Sequence, residues 1–250
     1  MALLPESVSY LAAGGLVAFS LFTAALTAAF GIGGGVMLLV VLAQIVPVSA
    51  IVPLHGVVQL GANTGRAALQ MRNIAPGYLL PFVLGAAAGA LVGGLIFTEL
   101  PDGVILMAVG VFVLITTWVS LPKLGGGQKT WMAGGGFLAT LLTMFVGATG
   151  PFTVALFGPA GLPHRSMVAT VAVAMTTQHF LKTATFVLIG FAFAPWLPLL
   201  AAMLLAGFVG TYLGTRLLIK LPEDLLRKGL KVILTVLGIQ LTIRGIISLW

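Results

Sequence analysis

Apolar residues in this chain do not alternate with polar ones. They run in long blocks separated by short stretches of glycine, proline and charge. Ten apolar segments follow from that pattern: Ser9 to Phe30, Val36 to Val46, Ile51 to Met71, Tyr78 to Thr98, Val104 to Leu121, Trp131 to Val146, Phe152 to Leu162, Ser166 to Gly190, Trp196 to Ile219 and Lys228 to Leu249. A helix needs about 20 such residues to cross about 30 Å of hydrocarbon. Val36 to Val46 and Phe152 to Leu162 reach only about 16 Å at the α-helical rise, so neither crosses alone. Each follows a glycine-rich break, Gly31-Ile-Gly-Gly-Gly35 or Gly147-Ala-Thr-Gly-Pro151.

The matching places of the two short segments point to an internal repeat. A shift of 116 positions sets Gly31 on Gly147, Gly34 on Gly150, Pro47 on Pro163, Asn63 on His179 and Arg66 on Lys182; a shift of 121 sets Gly89 on Gly210, Gly93 on Gly214 and Pro101 on Pro222. The five-residue difference falls around Phe191 to Pro195. The expected architecture is an all-α polytopic membrane protein of two repeats, residues 1–124 and 125–250, meeting at the Gly125-Gly-Gly127 linker. Each repeat holds about four full transmembrane helices and one short helix after the break.

Loop charges orient the chain. With five elements per half, Arg72, Lys123, Lys129, Arg165, Lys220, Arg227 and Lys228 share one side, while Glu99 and Asp102 lie on the other. The positive-inside rule makes the basic side cytoplasmic and puts both termini outside. Five is odd, so the halves are inverted.

Composition removes other classes. The 250 residues are 60% hydrophobic and 7% charged, far from the balance of a soluble domain. There is no cysteine, hence no disulfide or thiolate chemistry. The net charge of +7 is scattered, with no basic run or basic-aromatic module to read as a nucleic-acid surface. Met1 to Tyr10 lacks the positive start of a cleavable signal, so the first segment is expected to be retained. All five carboxylates, Glu6, Glu99, Asp102, Glu223 and Asp224, lie at the N-terminus or at segment ends. That leaves no buried acidic proton relay, no carboxylate dyad and no Ser/His/Asp triad within a span. His164 falls in a loop, which argues against a three-histidine metal site with His55 and His179. No enzyme activity, metal or cofactor is expected.

Arg216, Lys231 and Arg244 lie close enough to segment ends to snorkel. Arg66 and Lys182 are deeper, where a charge costs about 2.5–3.5 kcal/mol on insertion scales. Snorkelling remains a reading for Arg66, five residues from Met71; Lys182, its repeat mate, is farther inside. His55, Gln59, Asn63, Arg66 and Gln70 share a sector of roughly 80° on one helix face, and His179 and Lys182 share a face in the second half. Such a stripe faces protein or water; interhelical bonding is its bland alternative. The short helices begin at the breaks, so unpaired N–H groups and the positive dipole end lie at Gly33, Gly34 and Gly35, and at Thr149 and Gly150. A tight turn is the competing reading. No Gly-Lys-Ser/Thr ending follows to make a nucleotide loop.

The chain resembles the TauE/SafE family of sulfite and sulfonate exporters. The resemblance rests on Phe30-Gly-Ile-Gly-Gly-Gly35 with Pro47, on Phe145-Val-Gly-Ala-Thr-Gly-Pro151 with Gly161-Leu-Pro163, and on Leu100-Pro101-Asp102 and Leu221-Pro222-Glu223. One departure is Val40, where the family often carries proline. The resemblance implies a multi-pass inner-membrane transporter of small sulfur-containing anions such as sulfite or sulfoacetate. In this reading Arg66 and Lys182 neutralise the anion, Asn63, Gln59 and His179 donate hydrogen bonds, the breaks add backbone amides, and any proton coupling passes through His55 or His179. An anion channel, or a carrier for another small anion such as a carboxylate, is the alternative. The expected partners are the anion and the bilayer, with a homodimer left open.

Overall fold

A computed structural model describes residues 4–30, 33–119, 129–216 and 223–250. Gly31, Lys123, the 125–127 linker, Lys220 and Pro222, on which parts of the repeat and orientation readings rest, lie outside the described residues. Among the described residues every regular element is helical. Ten α-helices follow in order: α1 Tyr10–Phe30, α2 Gly34–Ile45, α3 Val48–Leu69, α4 Leu79–Phe97, α5 Asp102–Trp118, α6 Lys129–Val146, α7 Gly150–Phe157, α8 His164–Leu188, α9 Leu197–Arg216 and α10 Glu223–Ile247. Each coincides with one apolar segment of the sequence.

Helix boundaries keep the register of the sequence shift. The ends of α1 and α6, the starts of α2 and α7, and the starts of α3 and α8 are each 116 residues apart; the starts of α5 and α10 are 121 apart. The two short helices differ in length for a local reason. In α7 a Gly158-Pro159 pair turns the chain into a 3-10 turn after eight residues, because proline has no N–H to continue the ladder. α2 meets no such break and runs for 12. The longer α8 against α3, 25 residues against 22, absorbs part of the extra length before Phe191.

This is a membrane protein. Among the described residues four stretches, Tyr10–Ala28, Pro76–Phe97, Ala194–Gly214 and Lys228–Ile247, are long and apolar enough to cross a bilayer. Their outward faces are greasy: Leu80, Leu84, Leu91 and Leu95 form one exposed row on α4, a surface that water would not tolerate and lipid does. α3 and α8 are long enough but carry the polar stripe, and they are packed on one another inside the bundle, with α9 also against α3 and α4 against α8.

Glycines set the closest helix contacts. A Cβ on Gly89 would strike the Phe137 carbonyl, one on Gly210 the Leu21 carbonyl, and one on Gly214 the Ala25 carbonyl. Gly89 and Gly210 are 121 residues apart, and the carbonyls they meet are 116 apart. The contacts also give directions. Gly85 meets Ala133 and Gly89 meets Phe137, so α4 and α6 run the same way; Gly210 with Leu21 and Gly214 with Ala25 do the same for α9 and α1. Gly103 meets Gly245 while Gly110 meets Gly238, so α5 and α10 are antiparallel.

Candidate functional site

α3 and α8 bring the polar stripe together between the two breaks. Successive turns of α3 stack His55, Gln59, Asn63 and Arg66, because residues three and four apart share a helix face. His55 is fully buried and its Nε2 lies 2.9 Å from the Gly35 carbonyl. Gln59 packs its amide on Gly35, where a Cβ would come within 3.1 Å of Oε1. Asn63, also fully buried, uses both ends of its amide on its own helix: Nδ2 donates to the Gln59 carbonyl at 2.7 Å, and Oδ1 accepts from the Arg66 guanidinium at 2.7 Å. Asn63 therefore stands behind Arg66 and aims it.

From α8, His179 meets His55 edge to face, ring centroids 6.1 Å apart. The Nδ1 atoms of both rings are buried without a hydrogen-bond partner. Since buried polar atoms are nearly always paired, two such atoms on neighbouring rings mark a place where a ligand, a water or a proton belongs. Lys182 is wholly buried; its Nζ donates to the Gly147 carbonyl at 2.9 Å and lies 3.4 Å from Thr143 Oγ1, which donates to the same carbonyl.

Both breaks turn through left-handed glycines, Gly33 at φ 99° and Gly147 at φ 73°, a conformation that a Cβ disfavours. Each turn ends in a helix start: α2 with Gly33 as its N-cap, α7 with Thr149 as its N-cap and Pro151 in its first turn. The Met37 amide is the first to bond within α2, to the Gly33 carbonyl at 3.0 Å, so the amides before it have no partner in the helix.

A cavity of about 280 Å³ lies against both breaks. It collects seven of the sequence-derived site residues: Arg66, Gln59, His55 and His179 from the stripe, Gly33 and Gly35 from the first break, and Gly150 from the second. Four stand outside its lining. Lys182 and Asn63 lie behind it; Thr149 is buried at the start of α7; Gly34 is pressed against the Thr23 carbonyl, a close approach of α2 to α1. The wall continues through Gln70 on α3 and Met167 and Val168 near the start of α8. The cavity thus extends toward the end of the bundle that carries Arg72 and Arg165. His164 is exposed at the start of α8, fifteen residues and about 22 Å from His179.

Two residues that support the site carry no simple sequence signal. Thr143 shares the Gly147 carbonyl with Lys182. Gly56 leaves room for Lys182, whose Cε would be 2.8 Å from a Cβ there. Away from the site, Arg244, exposed in the last turn of α10, reaches the end of α2: its guanidinium lies 3.3 Å from the Ala43 carbonyl and 3.2 Å from Gln44 Oε1. A cation there meets the negative end of the α2 dipole. Its partner is 201 residues away, beyond the reach of any local pattern.

The model of the family "Sulfite exporter TauE/SafE" matches residues 16–241 of the chain. The protein described as "Probable inner membrane transporter protein TsaS" of Comamonas testosteroni is 31% identical over 186 residues, covering 69% of this chain and 73% of that protein. No solved structure matches the chain significantly. With nearly the whole bundle inside the family match, the chain belongs to the TauE/SafE family of membrane transporters.

Proposed function

We propose that the protein exports a small sulfur oxyanion or organosulfonate, such as sulfite or sulfoacetate, from the cytoplasm across the inner membrane. The observation that carries this reading is the convergence of both breaks, Arg66 and the two histidines on one cavity. Arg66 supplies the charge, Gln59 and His179 the side-chain hydrogen bonds, and the starts of α2 and α7 the backbone amides. Lys182 and Asn63 act from behind: Lys182 fixes the Gly147 turn that delivers Gly150, and Asn63 fixes the Arg66 guanidinium. His55 has a different part. With its Nε2–H given to the Gly35 carbonyl, the neutral ring offers a lone pair at Nδ1, a place where a proton can be taken up.

Two inverted repeats account for the helix directions and the shared offsets of 116 and 121. In that architecture α1 and α6 run oppositely, which is supported by α1 running with α9, α6 with α4, and α5 against α10. The halves then rock about a fixed midplane site. The positive-inside rule puts the Arg72 and Arg165 end in the cytoplasm and both termini outside, so the cavity loads from within. An inside-negative potential drives each expelled negative charge with about 2.3 kcal/mol per 100 mV.

A thermal-stability screen of the purified protein tests the substrate class, because a ligand that binds only the folded state raises Tm. Sulfite or sulfoacetate is expected to raise it, with acetate and phosphate inert. Equal stabilisation by acetate and phosphate, or none by the sulfur anions, overturns the reading.

A further inference from the structure

The 116 shift that pairs the two central helices also shows where they part. It sets His55 on Val171, Gln59 on Met175, Asn63 on His179 and Arg66 on Lys182. Helix α3 is polar at all four registers, whereas α8 is apolar at the first two. The difference carries into the cavity of about 280 Å³, where α3 contributes His55, Gln59 and Arg66, and α8 contributes Val168, Val171, Ala172 and Met175 before reaching His179. Gln59 and Met175 also hold matching places at the two helix starts. A Cβ on Gly35 would come within 3.1 Å of Gln59 Oε1, and one on Gly150 within 3.2 Å of Met175 Cε. An amide therefore lies at the start of α2 and a thioether methyl at the start of α7. Pro151 takes one further N–H from the α7 side.

We propose that Met175 sets the oxyanion selectivity of this site: it favours anions whose oxygens all lie on one side of the central atom and rejects those with oxygens all round. This rests on the function proposed above and deepens it at the same cavity. Sulfite is pyramidal, with three oxygens on one side of sulfur and a lone pair on the other. When its oxygens meet Arg66, Gln59 and the helix-start amides, the oxygen-free side turns to the α8 wall. Sulfate carries a fourth oxygen in that direction, where Met175 and Val171 offer no donor. An acceptor taken out of water without a hydrogen bond is penalised, and a site that leaves a polar group unpaired discriminates more sharply than one that merely loses a contact. A carrier with this wall expels the reduced anion and passes over its oxidised form.

The test measures binding of sulfite and of sulfate to the intact protein in detergent. Anaerobic conditions keep sulfite from oxidising, and an alkaline pH makes both anions dianions, so that they differ by one oxygen. Wild type is expected to bind sulfite at least about tenfold more tightly than sulfate. Met175→Gln places on α8 the amide that Gln59 holds at the same register of α3, and Met175→Ala makes room for a water to serve the fourth oxygen. Each is expected to cut the ratio at least about fivefold by tightening sulfate. Met175→Leu stays apolar at similar volume and is expected to hold the ratio within about twofold. If wild type binds both anions equally, the role of Met175 is overturned and the exporter reading stands; if it binds neither, the function proposed above fails with it. A ratio unchanged in Met175→Gln and Met175→Ala, or lowered as much by Met175→Leu, also overturns the proposal. Unfolding curves show which variants keep the fold; should Met175→Gln lose it, Met175→Ala against Met175→Leu decides.

Discussion

Lys182 Nζ lies 2.9 Å from the Gly147 carbonyl oxygen, inside the bundle and behind the cavity. This links the central helix α8 to the turn that aims the start of α7. Its counterpart by the 116 shift, Arg66, faces the cavity. The two cations are thus expected to fail differently. Lys182→Met removes the bond to the turn, and an Ala at Gly56 displaces Lys182 from it by crowding Cε. Each single variant is expected to lower anion affinity several-fold, and the double variant to be no weaker than the worse single. Such non-additivity marks residues that act through one contact. Isothermal titration with sulfite on all three variants checks it; strictly additive losses contradict the linkage.

The two histidines separate in the same way. His55 ties α3 to the α2 start through Gly35, so His55→Ala removes a buried hydrogen bond to a carbonyl of the α2 ladder and is expected to cost about 0.5–1.5 kcal/mol of stability. Among the described residues no tie of this kind holds His179, which faces the cavity. His179→Gln is expected to weaken anion binding with a small change in unfolding temperature. Thermal unfolding and ligand titration of both variants together check the assignment, and a reversed pattern contradicts it.

Close glycine contacts give a prediction about the scaffold. Gly89→Ala and Gly210→Ala each place a methyl on a backbone carbonyl of the facing helix, a clash that side-chain motion does not relieve. Overpacking of this kind costs about 1–3 kcal/mol. Gly207→Ala has open space and is expected to be neutral or stabilising by up to about 1 kcal/mol through helix propensity. Unfolding midpoints of the three purified variants measure this, and equal losses at Gly207 and Gly210 contradict it.

Much of this structure was legible in the chain because its signals are local. The breaks at Gly31 to Gly35 and Gly147 to Pro151 announce where long helices stop and short ones start, and Pro159 explains the brevity of α7. The alignment of His55, Gln59 and Arg66 follows from helical spacing alone. What escaped the sequence is the part each polar residue plays. Spacing puts Asn63 on the cavity face, yet the bonds it makes at i−4 and i+3 turn it into a support. Lys182 and Arg244 both end on backbone carbonyls, at Gly147 and Ala43, and a carbonyl has no sequence signature. Ser20 of α1 is silent for the same reason, since only the fold shows that its hydroxyl meets the Met203 carbonyl of α9.

The claim that anions pass beside Arg66 is tested most directly by flux. Proteoliposomes loaded with sulfite and held inside-negative would report efflux for wild type and for Arg66→Gln, which keeps a polar side chain of moderate size but removes the charge. Loss of a charge-assisted contact worth about 1.5–3 kcal/mol corresponds to a fall of tenfold or more. A fall of that size with unchanged folding is the predicted result; undiminished, saturable efflux in Arg66→Gln would contradict the account.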